Sequence, residues 1–373
     1  MADFFFYGTL CHPPLLACVL GRMPAMRVAR LPGHAVHWAR GGAFPLIFAQ
    51  PGAEAVGLLV QGLDEDEAAR LDFYEGGFGY VTRDVPVTPA DGGAQAIARV
   101  YFPKPGQWQP GAAWSLEDWV ARYGAAALAT AADFMALRGT VPAAQIAARY
   151  GAMLVRGASH VRAQAAQPAT LRRKAGAGDL DVAGRSQPYA RFFAVEEWRV
   201  GWRQFDGTMG APVDRAVFVM TDAVTVLPYD PVRDRVLLIE QFRAGPMARG
   251  DAAAWQLEAV AGRIDPGESP EEAARREARE EAGLELGALL PVAGYYPSPG
   301  AVSEYLYSYV ALTDLPDGVA GVFGEASEAE DIRGHLVGFD RLMALVATGE
   351  IANAPLILTA LWLQRERARL RAG

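Results

Sequence analysis

Residues 262–284 read GRIDPGESPEEAARREAREEAGL, and seven of the twenty-three are acidic. A carboxylate can be a metal ligand, a general base or a solvated surface charge, and its spacing decides among these. Ser269, Pro270 and Glu272 form a helix start: Ser at the N-cap, Pro at the first helical position, Glu at the third. Gly283 is a natural stop. Glu271–Arg275, Glu272–Arg276 and Arg276–Glu280 are i,i+4 pairs of opposite charge, each worth ~0.2–0.5 kcal/mol. A salt-bridged surface helix would explain that much. It does not explain Glu277, Glu280 and Glu281, which fall at i, i+3 and i+4 on one face, where like charges repel. Glu268 stands just ahead of the N-cap and can fold back toward them. Four converging carboxylates suit a hard cation such as Mg²⁺, which takes oxygen ligands. The cation could then hold a diphosphate that an acidic chain does not otherwise attract.

The pattern of Gly262, Glu268, Arg276-Glu277, Glu280-Glu281 and Gly283-Leu284 resembles the Nudix box of Nudix hydrolases. One position departs: Ala278 stands where the family usually has a larger aliphatic residue, a matter of packing under the helix. The resemblance implies that Glu277, Glu280 and Glu281 are metal ligands, with Glu268 a further ligand or a carboxylate close behind them. It implies that Arg276 orients the glutamates through charge-assisted hydrogen bonds. It also implies attack of a metal-activated water on one phosphorus of a diphosphate, with Mg²⁺ or Mn²⁺ as the metal.

The flanks LLIEQFRAGP (237–246), WQLEAVAG (255–262), SPG (298–300), SE (303–304) and EAEDIR (328–333) resemble the ADP-ribose pyrophosphatase branch. That likeness makes Glu258 part of the metal and substrate site, the Ala261 carbonyl a metal ligand, and Arg243 a phosphate contact. A late-loop glutamate, Glu328 or Glu330, would serve as base or position the water. Glu304, Tyr295, Tyr296 and Trp198 are candidates for ribose or adenine contacts, although aromatics in strands are more often core. VEEWRVGWRQFDGT (195–208) resembles a segment exchanged between protomers, so a homodimer sharing its substrate site is expected.

At the other end, FFFYGTLCHPPLL resembles the start of the γ-glutamylcyclotransferase-like fold. There a turn, here Tyr7-Gly8-Thr9-Leu10, presents backbone N–H groups to an anionic substrate, in the manner of a nest. LDFYEGGFGYVTRDV (71–85) carries the second mark. Glu75 matches the general acid/base glutamate, and Tyr80 and Arg83 follow it. A carboxylate in a partly apolar pocket has its pKa raised toward a useful range. A γ-glutamyl ligand is the partner this implies.

These motifs need elements to position them. The first ~110 residues read as short apolar strands broken by Gly and Pro turns, with one helix at 64–75. Two Ala-rich helices are expected at about 116–137 and 141–166, and the Gly-rich 167–188 as a linker or mobile loop. From about 190 the chain is strand-rich again around the acidic helix, which suggests a mixed sheet between helices. The expected organisation is a γ-glutamylcyclotransferase-like α+β barrel (1–112), a helical connector and linker (113–188), and an α/β/α Nudix fold (189–373).

The 373 residues carry a net charge of −8, so there is no basic excess to bind nucleic acid. Cys11 and Cys18, seven apart in one expected helix, are poor disulfide partners. No stretch is long and apolar enough to span a bilayer, and a cytoplasmic protein is expected. The domain order resembles the TrgB-type tellurite-resistance proteins, although no residue carries the tellurite connection. Three readings follow. The first is hydrolysis of ADP-ribose or a related nucleoside diphosphate sugar. The second is γ-glutamyl cyclotransferase activity with a regulatory Nudix half. The third is a non-catalytic ligand sensor.

Overall fold

In strand β1 (Ala2–Phe6) the aromatic side chains sort by parity. Phe5 packs with Leu31, Ile47, Leu59 and Val100 inside a barrel, while Phe4 and Phe6 face a layer of helices. The structure, a computed structural model, describes residues 1–165, 167–324 and 330–372. The chain divides into two compact units, Met1–Pro168 and Ala169–Gly373. Among the described residues no helix is long and apolar enough to cross a membrane.

The first unit is built on β1, β2 (Arg27–Ala39), β3 (Pro45–Leu63), β4 (Val81–Pro89), β5 (Ala96–Phe102) and β6 (Pro110–Ala113). The order β3-β1-β5-β4-β2 closes through β2–β3 pairing into a five-stranded barrel, with β6 on the edge of β2. Only β1–β5 is parallel. Helices α1 (Pro13–Leu20) and α2 (Glu65–Gly76) cover one side. Cys11 lies in the turn before α1, where its thiol donates to the Phe6 carbonyl, so the two cysteines do not share a helix.

The stretch expected as a connector supplies core to this unit. It forms α3 (Leu116–Trp119), a π turn (Val120–Gly124), α4 (Ala125–Ala136), α5 (Ala143–Ala147) and α6 (Tyr150–Ala163). Trp119, Phe134, Ile146 and Met153 are buried in one cluster with Phe4, Leu15 and Leu71. Alanine makes this possible: Ala126, Ala127 and Ala131 let α4 approach its neighbours closely. At Gly157 an added Cβ would lie 2.6 Å from the Ala126 carbonyl, so α6 crosses α4 there at backbone contact.

In the second unit the expected linker is partly strand. β7 (Leu180–Ala190), β8 (Ala194–Trp202) and β9 (Val213–Val219) make a separate antiparallel sheet. The main sheet holds β10 (Ala223–Asp230), β11 (Arg235–Phe242), β12 (Trp255–Glu258), β13 (Val260–Arg263), β14 (Leu289–Tyr295), β15 (Leu306–Leu312), β16 (Val322–Phe323) and β17 (Ile332–Gly338). Helix α7 (Ala244–Arg249) follows β11, and α8 (Pro270–Ala282) is the acidic helix. α9 (Phe339–Thr348) and α10 (Ala354–Ala372) close the chain. β10–β15 is parallel among antiparallel neighbours, so the sheet is mixed, as expected.

Alternation along β11 builds both faces. Leu237 and Ile239 pack toward α8 with Ala273, Ala274 and Ala278; Val236 and Leu238 pack toward α9 and α10 with Leu342, Leu356 and Leu363. Ala278 is fully buried, and the run of small residues lets the helix lie close on the sheet.

The sheet is split where the acidic helix lies. β10 and β11 pair only at Tyr229–Val236 and Asp230–Arg235. Beyond that, β11 takes β12 as its neighbour and β10 takes β13. Glu258 and Ala261 therefore sit on strands that fill the gap between diverging neighbours.

Candidate functional site

The acidic helix is held at both ends by its own backbone chemistry. Ser269 Oγ accepts from the Glu272 N–H at 3.2 Å, and Glu272 accepts from the Ser269 N–H at 2.8 Å, a complete capping box. At the other end Gly283 takes a left-handed φ of 63°. Its N–H donates to Arg279, and that of Leu284 to Ala278. This fixes which way Glu277, Glu280 and Glu281 face.

Arg276 gathers the glutamates. Its guanidinium donates to Glu268 at 3.0 and 3.1 Å, Glu277 at 2.6 Å, Glu280 at 2.9 Å and the Arg263 carbonyl at 2.9 Å. Although burial disfavours its charge, these acids hold its pKa above the ordinary arginine value. Glu277 lies flat against β13: a Cβ on Gly262 would sit 1.9 Å from its Oε1. Gly262 is therefore required by the carboxylate, not by a turn.

Glu281 is the innermost of the set at 2% exposure. It accepts from the Ala261 N–H at 2.9 Å and faces Gln241 at 3.5 Å. Burial, then Glu277 and Glu330, push its carboxyl up to about 8, against the Ala261 N–H and Arg243. Glu277 is pushed to about 7, chiefly by burial, with Glu280 and Glu330 adding to it and Arg276 opposing.

Across the gap, Arg243 forks onto Glu258, its Nε at 3.1 and 3.2 Å and its Nη2 at 2.7 Å. Glu281 and Glu330 also hold the Arg243 pKa up. Glu304 is raised by burial, with Arg243 opposing and Asp222 adding. The structure thus brings together Glu258, Ala261, Glu268, Arg276, Glu277, Glu280, Glu281, Arg243, Glu304 and Glu330. Glu328 lies outside the described residues. Tyr295 donates or accepts at Ser308 (3.2 Å), and Tyr296 meets Tyr305 edge to face at 4.9 Å. Trp198 belongs elsewhere: its indole donates to Glu196 at 2.9 Å within the three-stranded sheet, under the Arg185 guanidinium.

Two contributors were not singled out from sequence. Gln241 and Asp222 are buried polar residues beside the glutamates. Gln241 had a readable signal, since it shares parity with Leu237 and Ile239 on the core face of β11. Asp222 had none.

Every candidate ligand here is a hard oxygen, and burial, with neighbouring carboxylates adding to it, raises Glu277 and Glu281, which a divalent cation would offset. Among the described residues no three His, Cys, Asp or Glu side chains are gathered closely enough to enclose an ion. Glu277 and Glu280 each give one oxygen to Arg276, so an ion would share those carboxylates with that guanidinium.

In the first unit the turn at residues 7–10 and Glu75 line one cavity together with Tyr80. Tyr7 donates to the Tyr101 carbonyl at 2.8 Å. Gly8 is demanded by close approach, since a Cβ would lie 2.4 Å from Pro45 Cγ, and its φ of −128° is not left-handed. Arg83 does not join them: it is exposed on β4 over the Phe102 ring.

Comparison with known proteins agrees with this division. The NUDIX domain family matches residues 219–358, and the Gamma-glutamyl cyclotransferase, AIG2-like family matches residues 4–121. An ADP-ribose pyrophosphatase of Escherichia coli (strain K12) is 39% identical over 196 residues, spanning 52% of this chain and 93% of its own. The chain belongs to the Nudix family. An ADP-ribose pyrophosphatase of Haemophilus influenzae is 31% identical, over 52% of this chain and 89% of its own. A GDP-mannose pyrophosphatase of Escherichia coli O9:H4 is 32% identical, over 40% and 77%. A solved structure, an ADP compounds hydrolase, aligns at 24% identity over 50% of this chain and 96% of its own, with a TM-score of 0.39.

Proposed function

We propose that the second unit hydrolyses the diphosphate of a nucleoside diphosphate sugar, ADP-ribose before others, to a nucleoside monophosphate and a sugar phosphate. The observation that carries this reading is the split in the sheet, where Arg243–Glu258 faces the Arg276-gathered glutamates. ADP-ribose pyrophosphatases and a GDP-mannose pyrophosphatase among the relatives support the substrate class.

Glu277, Glu280, Glu281 and the Ala261 carbonyl would hold Mg²⁺ or Mn²⁺, with Glu268 behind them; the ion would supply Lewis-acid activation of water and phosphate. Arg276 fixes the rotamers of Glu268, Glu277 and Glu280. Arg243, positioned by Glu258, offers its remaining N–H groups to phosphate oxygens. Glu330, whose charge reaches Glu277, Glu281 and Arg243, would accept a proton from the attacking water, with Glu328 the alternative. Glu304, beside Arg243, is the residue for the ribose.

A homodimer fits the three-stranded sheet, whose strands leave Leu180, Val182, Trp202, Val213 and Phe218 exposed. A second activity at Glu75 on a γ-glutamyl compound is favoured by that carboxyl's place in the first-unit cavity.

The test is product analysis with Mg²⁺ and a panel of ADP-ribose, ADP-sugars, UDP-sugars, GDP-mannose and NADH, with Glu281→Gln alongside. AMP and ribose 5-phosphate, lost in the variant, are expected. Binding of ADP-ribose with no turnover would replace the hydrolase with a sensor.

A further inference from the structure

The short strand β16 meets the acidic helix through one ring. Its two side chains part: Val322 is exposed, and Phe323 is half-buried against the end of α8. The Phe323 ring fills a slot between two glycines. A Cβ on Gly283, the left-handed stop of α8, would lie 3.0 Å from its Cε1. A Cβ on Gly321 would lie 3.1 Å from its Cε2 and Cζ. The ring therefore rests on backbone at both edges, and a close-packed seat of that kind fixes its position. Gly283 follows Glu281 by two residues, so the seat is tied to the helix end that carries the innermost carboxylate.

The paired strand carries Glu330. Phe323 is opposite Ile332 on β17, and Ile332 is fully buried in one cluster with Ala274, Ala278 and Ala282 of α8. The Gly334 N–H donates to the Gly321 carbonyl at 2.8 Å and closes the pair at its other end. Glu330 stands two residues ahead of Ile332. On its other side is Gly324, whose φ of 118° is left to glycine. A Cβ there would fall 2.8 Å from the Glu330 Cβ and 2.9 Å from its carbonyl oxygen. Glu330 is thus pinned between Ile332 in the core and the glycine next to Phe323. Its charge is felt at Glu277, Glu281 and Arg243.

We propose that Phe323 is a positioning residue for the hydrolysis: seated between Gly283 and Gly321, it ties the β16–β17 pair to the end of α8 and so sets where Glu330 stands relative to Glu277 and Glu281. This role rests on the reading of the second unit as a diphosphate hydrolase in which Glu330 serves the attacking water. It adds a side chain that acts through another.

The experiment measures kcat and KM for ADP-ribose at saturating Mg²⁺ in the full chain, with thermal melts alongside. The variants are Phe323→Ala, Phe323→Leu, Glu330→Gln and the Phe323→Ala, Glu330→Gln double variant. Phe323→Ala should lower kcat by ~10–100-fold, the effect of misplacing a reacting group by about 1 Å. KM should stay within about threefold of wild type. Phe323→Leu, which keeps an apolar group in the slot, should recover most of kcat. In the Glu330→Gln background, Phe323→Ala should cost no more than about twofold further, because its effect passes through that carboxylate. Hydrogen exchange of the Gly334 amide should quicken by about tenfold in Phe323→Ala, with the α8 amides unchanged.

Wild-type kcat in a folded Phe323→Ala chain overturns the proposal and leaves the hydrolase standing. So does a double variant in which the two losses multiply, since Phe323 would then act without Glu330. Wild-type kcat in Glu330→Gln removes that carboxylate from the reaction and this role with it, while Glu281→Gln still judges the hydrolase. A wild type that turns over no diphosphate sinks both. Should Phe323→Ala not fold, Phe323→Leu and Gly321→Ala, whose methyl presses on the ring, decide by the same kcat and double-variant criteria.

Discussion

The two units place the same residue type in opposite settings. Glu75 stands alone among tyrosines, raised to about 7 by burial. Glu277 and Glu281 are raised to about 7 and about 8 as well, yet they stand in a crowd of acids laced by Arg276, Arg243 and the Ala261 N–H. In the first unit the carboxyl is made easy to protonate by removing its partners. In the second the carboxyls are raised by burial too, but Arg276, Arg243 and the Ala261 N–H oppose the rise. Both sets ride on helices with complete capping boxes, Asp64–Glu67 on α2 and Ser269–Glu272 on α8. Helix start chemistry is therefore common to both sites, and what differs is the surface each helix meets.

The contrast can be broken most forcefully at Glu281. Glu281→Gln is expected to lower kcat for ADP-ribose by ~10³-fold, the order of several kcal/mol of charge stabilisation. EDTA should abolish turnover in the wild type. Chromatographic assay of AMP and ribose 5-phosphate measures both losses.

Gly262→Ala should come next. The added methyl would displace Glu277, since its Cβ falls 1.9 Å from Oε1. Activity and metal affinity should drop by ~10–100-fold, as when a ligand's support is lost. An unchanged metal titration would show that Glu277 does not need that seat.

Glu75→Gln probes the isolated carboxyl through stability. Its folded pKa lies above the unfolded carboxylate value, so the neutral form is favoured in the fold. The native state is stabilised, relative to a normal glutamate, below about pH 4.5, and loses that advantage as pH rises through about 7. The glutamine variant should therefore melt above the wild type at pH 8 by on the order of 1–3 kcal/mol and match it at pH 4.5. Equal melting at both pH values would mean that water or an ion already satisfies the charge.

The smallest effects are expected at the caps. Ser269→Ala and Asp64→Ala should each cost ~1 kcal/mol. Urea unfolding measures the cost, and turnover shows which cap serves the second-unit site.

Much of the second site was legible because a helix converts spacing into direction. The box glutamates, Arg276 and the caps could be placed from i+3 and i+4 relations alone. Glu258, Ala261 and Arg243 were named by resemblance, but their meeting depends on β10 and β11 parting after two paired residues. Trp198 lies in a separate sheet, and 180–188 read as linker because its composition is polar, although it pairs with β8 as a hairpin. The Ala-rich stretch at 116–163 read as a connector because alanine shows no amphipathic contrast.

Local chemistry, then, is what the sequence by itself determined: where the acidic helix starts and stops, which carboxylates share its face, which strands alternate, and that a glycine-containing turn follows β1. These depend on neighbours within one or two turns of chain, and short-range sterics and hydrogen bonds decide them. Tertiary structure alone decided that Gly262 gives way to a carboxylate, that Gly8 gives way to Pro45, that Arg243 is paired, and that α4 and α6 wall the cavity around Glu75. Those outcomes depend on segments far apart in the chain meeting at van der Waals distance, and burial then sets the charge of every group between them.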